Sequence, residues 1–216
     1  MSDAEDVAGK PKRGRGRPKT QSDGERRKLI TDTARRTFVE LGFSGTTTDT
    51  VAARCKISKQ TLYRLFPSKS DLFLAVVIAH RQMMLDLPRP DDENKPVDEV
   101  LKTIFMIDID EAAEQEREAF IHIVMRESAQ IPELADVLRR EGIDQSRQHL
   151  ADWIDGEAKR GKLVTDNPLG DARMLMDLLF GGMGPASREW KSRKDRQNHL
   201  QRCIRLFVRG SQADKT

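Results

Sequence analysis

The chain has 216 residues and a formal net charge of only +3, enough length to bury one large core or two small ones. Charged residues make up 34% and aromatics 5%, a balance that favours a helix-rich fold over a sandwich of short aromatic strands. No apolar run approaches the ~20 residues needed to cross a bilayer and no signal-peptide core opens the chain, so a cytoplasmic protein without a membrane partner is expected.

Residues 1–24 read as a disordered basic arm: polar, rich in Gly, Pro and Lys/Arg, with almost nothing to bury. Lys10 to Lys19 reads KPKRGRGRPK, without an acidic residue. Its core, Arg15-Gly16-Arg17-Pro18, resembles an AT-hook, and Arg15 and Arg17 suit a narrow, negative minor groove. A solubilising tail with sequence-blind affinity for phosphate is the other reading of the same charge run.

From Glu25 to Leu41, Ile30, Ala34, Phe38 and Leu41 recur at helical spacing, and Gly42 is a plausible stop. Thr46, Thr47 and Thr48 offer caps for a short helix to about Arg54, with Val51 and Ala52 inward. Lys56-Ile57 makes a turn. Ser58 then caps a second short helix, Lys59 to about Leu65, which Pro67 ends. Ser68 caps a longer helix expected from Lys69 to Leu87. Three helices with a short turn between the last two describe a helix-turn-helix. In the third, Leu62, Leu65 and Phe66 turn inward, while Lys59, Gln60, Tyr63 and Arg64 project outward. Such a helix fits a B-DNA major groove: Gln60 can pair with adenine, Lys59 with guanine, and Tyr63 and Arg64 can hold phosphates. The helix starts at Thr47-Thr48 and Ser68-Lys69 add backbone N–H groups that favour an anion. A helical bundle with a solvated charged face is the alternative that residue pattern leaves open.

Residues 30–76 resemble the DNA-binding domain of the TetR/AcrR family of bacterial regulators. The likeness runs through Ile30, Ala34, Phe38, Gly42-Phe43, Thr47-Thr48, Val51-Ala52, Ile57-Ser58, Thr61-Leu62-Tyr63, Phe66, Lys69 and Leu72-Phe73. It implies that Tyr63 and Lys69 contact phosphates and that Ser58 to Gln60, with Thr61 beside them, face bases. One departure stands in the turn, where the family often has Ala-Gly and this chain has Cys55-Lys56. Lysine at a left-handed position carries a small cost, and Lys56 there adds a candidate phosphate contact.

Pro88 to Pro96 is a polar loop. Beyond it helices are expected at about 97–107, 110–129, 132–140, 143–160, 168–183 and 195–209; no segment alternates with period two, so the fold class is all-α. Phe105, Met106, Phe120, Val124, Trp153 and Met183 are candidate lining for a ligand pocket, with ordinary core filling as the other reading of each, and Glu127 is a candidate polar anchor there, with a surface ion pair to Arg126 as its other reading. The apolar stripes of the last two helices, with Leu175, Leu178 and Leu179 on one and Leu200, Ile204 and Phe207 on the other, suit a four-helix dimer interface. Arg126-Glu127-Ser128-Ala129, Ile131-Pro132-Glu133-Leu134 and Arg160-Gly161-Lys162-Leu163 are similar to the C-terminal domain of an AcrR-like subgroup. That likeness implies ligand sensing and leaves the ligand unnamed.

The catalytic inventory is poor. His80, His122, His149 and His199 are scattered, no nucleophile elbow or phosphate loop is present, and Cys55 and Cys203 share no metal-ligand spacing. No enzyme, metal or cofactor is expected, and the cysteines read as small core residues in a reducing compartment. The expected organisation is the arm 1–24, a helix-turn-helix domain 25–70, and a ligand-sensing and dimerisation domain 71–210. The expected function is a homodimeric repressor on near-palindromic double-stranded DNA, released by a small-molecule effector. An architectural, nucleoid-type DNA binder and a helical adaptor for protein partners are the alternatives.

Overall fold

A computed structural model describes residues 22–90, 93–181 and 190–211, so the expected contacts of Arg15, Arg17 and Met183 lie outside the described residues. Among these there are helices and no strand. Helix α1 (Asp23–Gly45) opens on a reciprocal cap: Ser22 Oγ accepts from Glu25 N, and the Glu25 carboxylate accepts from Ser22 N. Its helical path breaks at Gly42, φ 73°, which turns Phe43 back into a cluster with Phe38 and Phe73. Three helices follow: α2 (Thr48–Arg54), α3 (Lys59–Leu65) and α4 (Lys69–Ala79).

Helix α4 is shorter than the sequence suggests. It ends at His80 rather than continuing to Leu87, and a 3₁₀ turn, Arg81–Met83, follows. Tertiary partners account for the stop. His80 bonds the Val76 carbonyl through Nδ1 and Asp32 of α1 through Nε2, and Arg117 takes the carbonyls of Met83 and Met84. The Met83 and Met84 carbonyls, which a continuing helix would have used, are thereby satisfied from outside.

The remaining helices are α5 (Val97–Ile104), α6 (Glu111–Gln130), α7 (Pro132–Val137), α8 (Gln145–Lys159), α9 (Pro168–Phe180) and α10 (Arg193–Gly210). The break expected between 140 and 143 is absent: a π-helical segment, Leu138–Asp144, joins α7 to α8. Gly142 makes this possible at close quarters, since a Cβ there would stand 3.0 Å from Leu138 and 3.6 Å from Val77 of α4.

Two apolar cores result. The first gathers Ile30, Phe38, Leu62, Leu72 and Phe73 with Phe120, Val124, Leu134 and Leu138, so α6, α7 and the π segment close over the N-terminal helices. It therefore runs past residue 70. The second holds Leu101, Ile104, Leu150, Ile154, Leu175 and Ile204, built from α5 and α8–α10. Cys55 lies in the first and Cys203 in the second, both as free thiols. Burial raises both thiols above their ordinary range. No helix among the described residues is long and apolar enough to cross a membrane.

Candidate nucleic-acid interface

The turn between α2 and α3 is fixed by backbone bonds. Ile57 N donates to Ala52 O and Lys56 N to Ala53 O, at 3.0 and 3.1 Å, a Schellman closure with Lys56 at its left-handed position, φ 55°. The strain expected from lysine in place of glycine is thus present in the backbone. It throws the Lys56 side chain into solvent, between the two helices.

Ser58 caps α3, its Oγ accepting from Thr61 N at 3.1 Å and pairing with Thr61 Oγ1 at 2.8 Å. Thr47 does the same for α2 through Thr50. These hydroxyls set the helix starts rather than standing free. Leu62 and Leu65 anchor α3 in the first core, and Phe66 beside them is covered by the Arg27 guanidinium, 5.0 Å from its ring. The opposite face, Lys59, Gln60, Tyr63 and Arg64, is exposed, and its i, i+3 and i+4 spacings make it one continuous surface.

Among the described residues, Lys59, Tyr63 and Arg64 on that face each have a partner. Tyr63 Oη lies 2.8 Å from Thr48 Oγ1, joining α3 to the first turn of α2. Lys59 Nζ donates to Asp49 at 2.5 Å, which raises its ammonium above the usual lysine range. Arg64 holds Asp23 with two bonds, 2.8 and 3.0 Å, and the Asp23 carboxyl falls below its usual range because of them. Lys69 donates to the Phe43 carbonyl at 2.9 Å and stands 4.3 Å from the Phe43 ring centre, tying the start of α4 to the end of α1. The carboxylates of Asp49 and Asp23 were missed in the sequence. Asp49 sits ten positions before its lysine and Asp23 forty-one before its arginine, spacings that no helical period reveals.

The candidate ligand residues do not converge. Phe105 is buried in the second core with half-buried Trp153 against it, whereas Phe120 and Val124 fill the first. Met106 takes the left-handed position after α5, φ 53°. Glu127 is buried and paired with Arg126, next to the bend at Gly42. Two clusters replace the single expected lining because α6 turns its Phe120 face toward the N-terminal helices. The candidate dimer residues divide as well: Leu175, Leu179, Leu200, Ile204 and Phe207 are buried within the monomer, and only Leu178 is exposed. Met174, on the same apolar stripe of α9, and Leu206, not foreseen, are exposed beside it and line one open groove with it. No group of three or more His, Cys, Asp or Glu side chains among the described residues could hold a metal.

Residues 30–76 match the family described as bacterial regulatory proteins, tetR family, and residues 99–210 match the AefR-like transcriptional repressor, C-terminal domain. Over 195 residues the chain is 26% identical to the uncharacterized HTH-type transcriptional regulator YvkB of Bacillus subtilis (strain 168), covering 87% of this chain and 97% of that one. A TetR-family transcriptional regulator from Mesorhizobium loti has a similar structure, TM-score 0.68 at 18% identity, covering 89% of this chain and all of that one. So does the flavonoid-responsive regulator FrrA, TM-score 0.59 at 23% identity, covering 88% of this chain and 99% of that one.

Proposed function

The chain belongs to the TetR family of bacterial transcriptional regulators, and from that premise we propose that it represses transcription as a homodimer on a near-palindromic operator and lets go when a small effector binds its C-terminal body. The observation that carries the reading is α3 itself: Leu62 and Leu65 buried, Lys59, Gln60, Tyr63 and Arg64 in solvent. In this reading Gln60 and Lys59 meet base edges in the major groove. Tyr63, Arg64, Lys56, Thr48 and Lys69 meet phosphates and set register, while Thr47, Ser58 and Thr61 hold the two helix starts in place. Arg15 and Arg17 follow the adjacent minor groove.

Two reading heads need a two-fold partner. The exposed apolar side chains Met174 and Leu178 of α9 and Leu206 of α10 offer a face for a second copy, while the buried leucines beneath them keep each monomer folded. An architectural role draws no support from the regulators named above.

For release, the element best placed to couple the two parts is α6. It packs Phe120 and Val124 into the first core, holds the end of the α4 region through Arg117, pairs Glu116 with Arg35 of α1, and binds Arg193 and Arg196 of α10 through Glu114. An effector that binds better when α6 is displaced must weaken operator binding by the same factor by which operator weakens the effector. The repressor-type C-terminal match and the ligand-responsive neighbour FrrA support this reading. A reporter driven from the promoter region upstream of the gene tests it: deleting the gene should raise expression, and restoring it should lower expression again. Unchanged or reduced expression on deletion would count against repression.

A further inference from the structure

Lys59 and Asp49 meet across two helices of the reading head. Lys59 opens α3, Asp49 lies in the first turn of α2, and Lys59 Nζ donates to Asp49 Oδ2 at 2.5 Å. One turn further along α3, Tyr63 Oη lies 2.8 Å from Thr48 Oγ1. Both links run between the same two helices, so Asp49 stands level with the N-terminal end of α3, the end that a recognition helix sets against base edges. The Lys59 and Asp49 side chains are 66% and 49% exposed, and the hydrogen bond to Asp49 holds the Lys59 ammonium above the usual lysine range.

On a surface that approaches phosphates this carboxylate is costly, since it repels them and cancels the charge of its lysine. An exposed ion pair adds little to stability. The dipole of α2 favours an acid in its first turn, which accounts for Asp49 and not for its match to Lys59. Base pairs offer what the two groups fit. In the major groove the paired bases present a carbonyl oxygen beside an amino group, bonded to each other about 2.9 Å apart. The ammonium and the carboxylate, 2.5 Å apart, can lie edge to edge against them. An ammonium has three N–H donors and a carboxylate several acceptor sites, so each can bond its base atom without releasing the other.

We propose that Lys59 and Asp49 read one G·C pair as a unit, the ammonium on guanine O6 and N7 and the carboxylate accepting from cytosine N4, so that Asp49 is a specificity-determining residue. The inference rests on the reading that α3 enters the major groove, and it names the base pair at one operator position. The pattern of donors and acceptors sets the order of preference. With guanine under Lys59 every group is matched. Thymine there keeps O4 for the ammonium, and its adenine keeps N6 for the carboxylate, but the thymine methyl stands where N7 would be. Adenine or cytosine there turns an amino group to the ammonium and a carbonyl oxygen to the carboxylate, so both rank last. Lysine alone lacks this sense of strand, because a point charge on a flexible stem reaches guanine on either side.

The test uses the full chain and a duplex selected by it from random DNA. All four base pairs are placed in turn at each half-site position, and binding is measured at one salt concentration for the wild type, Asp49→Ala and Lys59→Ala. At one position the wild type should favour G·C over C·G about tenfold or more, a gap of about 1.4 kcal/mol, with T·A between them. Asp49→Ala should bring G·C and C·G level there, keep the preferences elsewhere, and tighten binding to unselected DNA. Lys59→Ala should weaken the preference at that same position. Melting temperatures of both variants read any structural role separately. An Asp49→Ala protein that melts lower but keeps every base preference overturns the pair, as does loss of preference at different positions in the two variants. In either case a wild type that selects a sequence leaves the reading of α3 standing. A wild type that selects no sequence overturns both.

Discussion

Arg64 grips Asp23 through two hydrogen bonds, 2.8 and 3.0 Å, so the last turn of the recognition helix is fastened to the first turn of α1. In the proposed pose a phosphate must compete with that carboxylate for the guanidinium. Asp23→Asn should free Arg64 and remove a repulsive charge, tightening binding to all sequences and steepening the salt dependence by about one unit of slope. Titrations at several salt concentrations check this; unchanged affinity and slope would mean that Arg64 does not face the duplex. The pairing is pH-dependent with a definite sign. Arg64 holds the Asp23 carboxyl below the usual carboxylate range. Its small contribution to stability is complete above that range and is lost as pH falls through the lowered value.

Gln60 and Tyr63 should separate base reading from phosphate binding. Gln60→Ala should cost about 1–3 kcal/mol at one base pair and leave discrimination elsewhere intact. Tyr63→Phe removes the hydroxyl bonded to Thr48 and should weaken binding to every sequence alike. A competition assay with single-base operator variants distinguishes the two patterns, and preserved discrimination in the Gln60 variant would contradict its base-facing role.

Lys56 stands at φ 55°, a conformation that glycine adopts without the Cβ penalty. Lys56→Gly should therefore stabilise the fold by about 0.5–1 kcal/mol, the relief of left-handed strain exceeding the entropy gained by the unfolded chain. The same change should weaken DNA binding if the lysine meets a phosphate. Urea denaturation and a salt titration on the same variant read the two effects independently.

The exposed apolar face predicts the oligomeric state. Leu178→Asp and Leu206→Asp should give monomers by sedimentation equilibrium with helical content retained, since both side chains are in solvent in the monomer. Leu175→Ala should instead cost about 2–5 kcal/mol of fold stability, because Leu175 is fully buried. Dimers persisting in both aspartate variants would place the two-fold contact elsewhere.

The helix-turn-helix was legible because its signals are local. Ser58 and Ser68 are caps, Leu62 and Leu65 recur at helical spacing, and Lys56 stands where a left-handed residue is required. What the sequence hid depends on distant partners. The stop at His80 is made by Asp32 and by Arg117, far away in the chain, and at the joint between α7 and α8 Gly142 packs beside Val77 of α4. The stripe on α9 was correctly seen as apolar, but it is wide enough to present two faces. Leu175 and Leu179 turn inward, and Met174 and Leu178, one position earlier in each pair, turn out. Periodicity alone does not say which half meets the monomer's own core. The candidate pocket failed to assemble for a related reason, since Phe120 and Phe105 lie on helices packed into different cores.

Selection of bound sequences from random duplex DNA, followed by affinity measurement at one fixed salt concentration, tests the central claim most directly. The account predicts enrichment of a near-palindrome whose half-sites lie on one face of the duplex, bound about 10³-fold or more tighter than unselected DNA. Enrichment of no common sequence, with selected and unselected pools bound equally, would contradict a recognition role for the surface that α3 exposes.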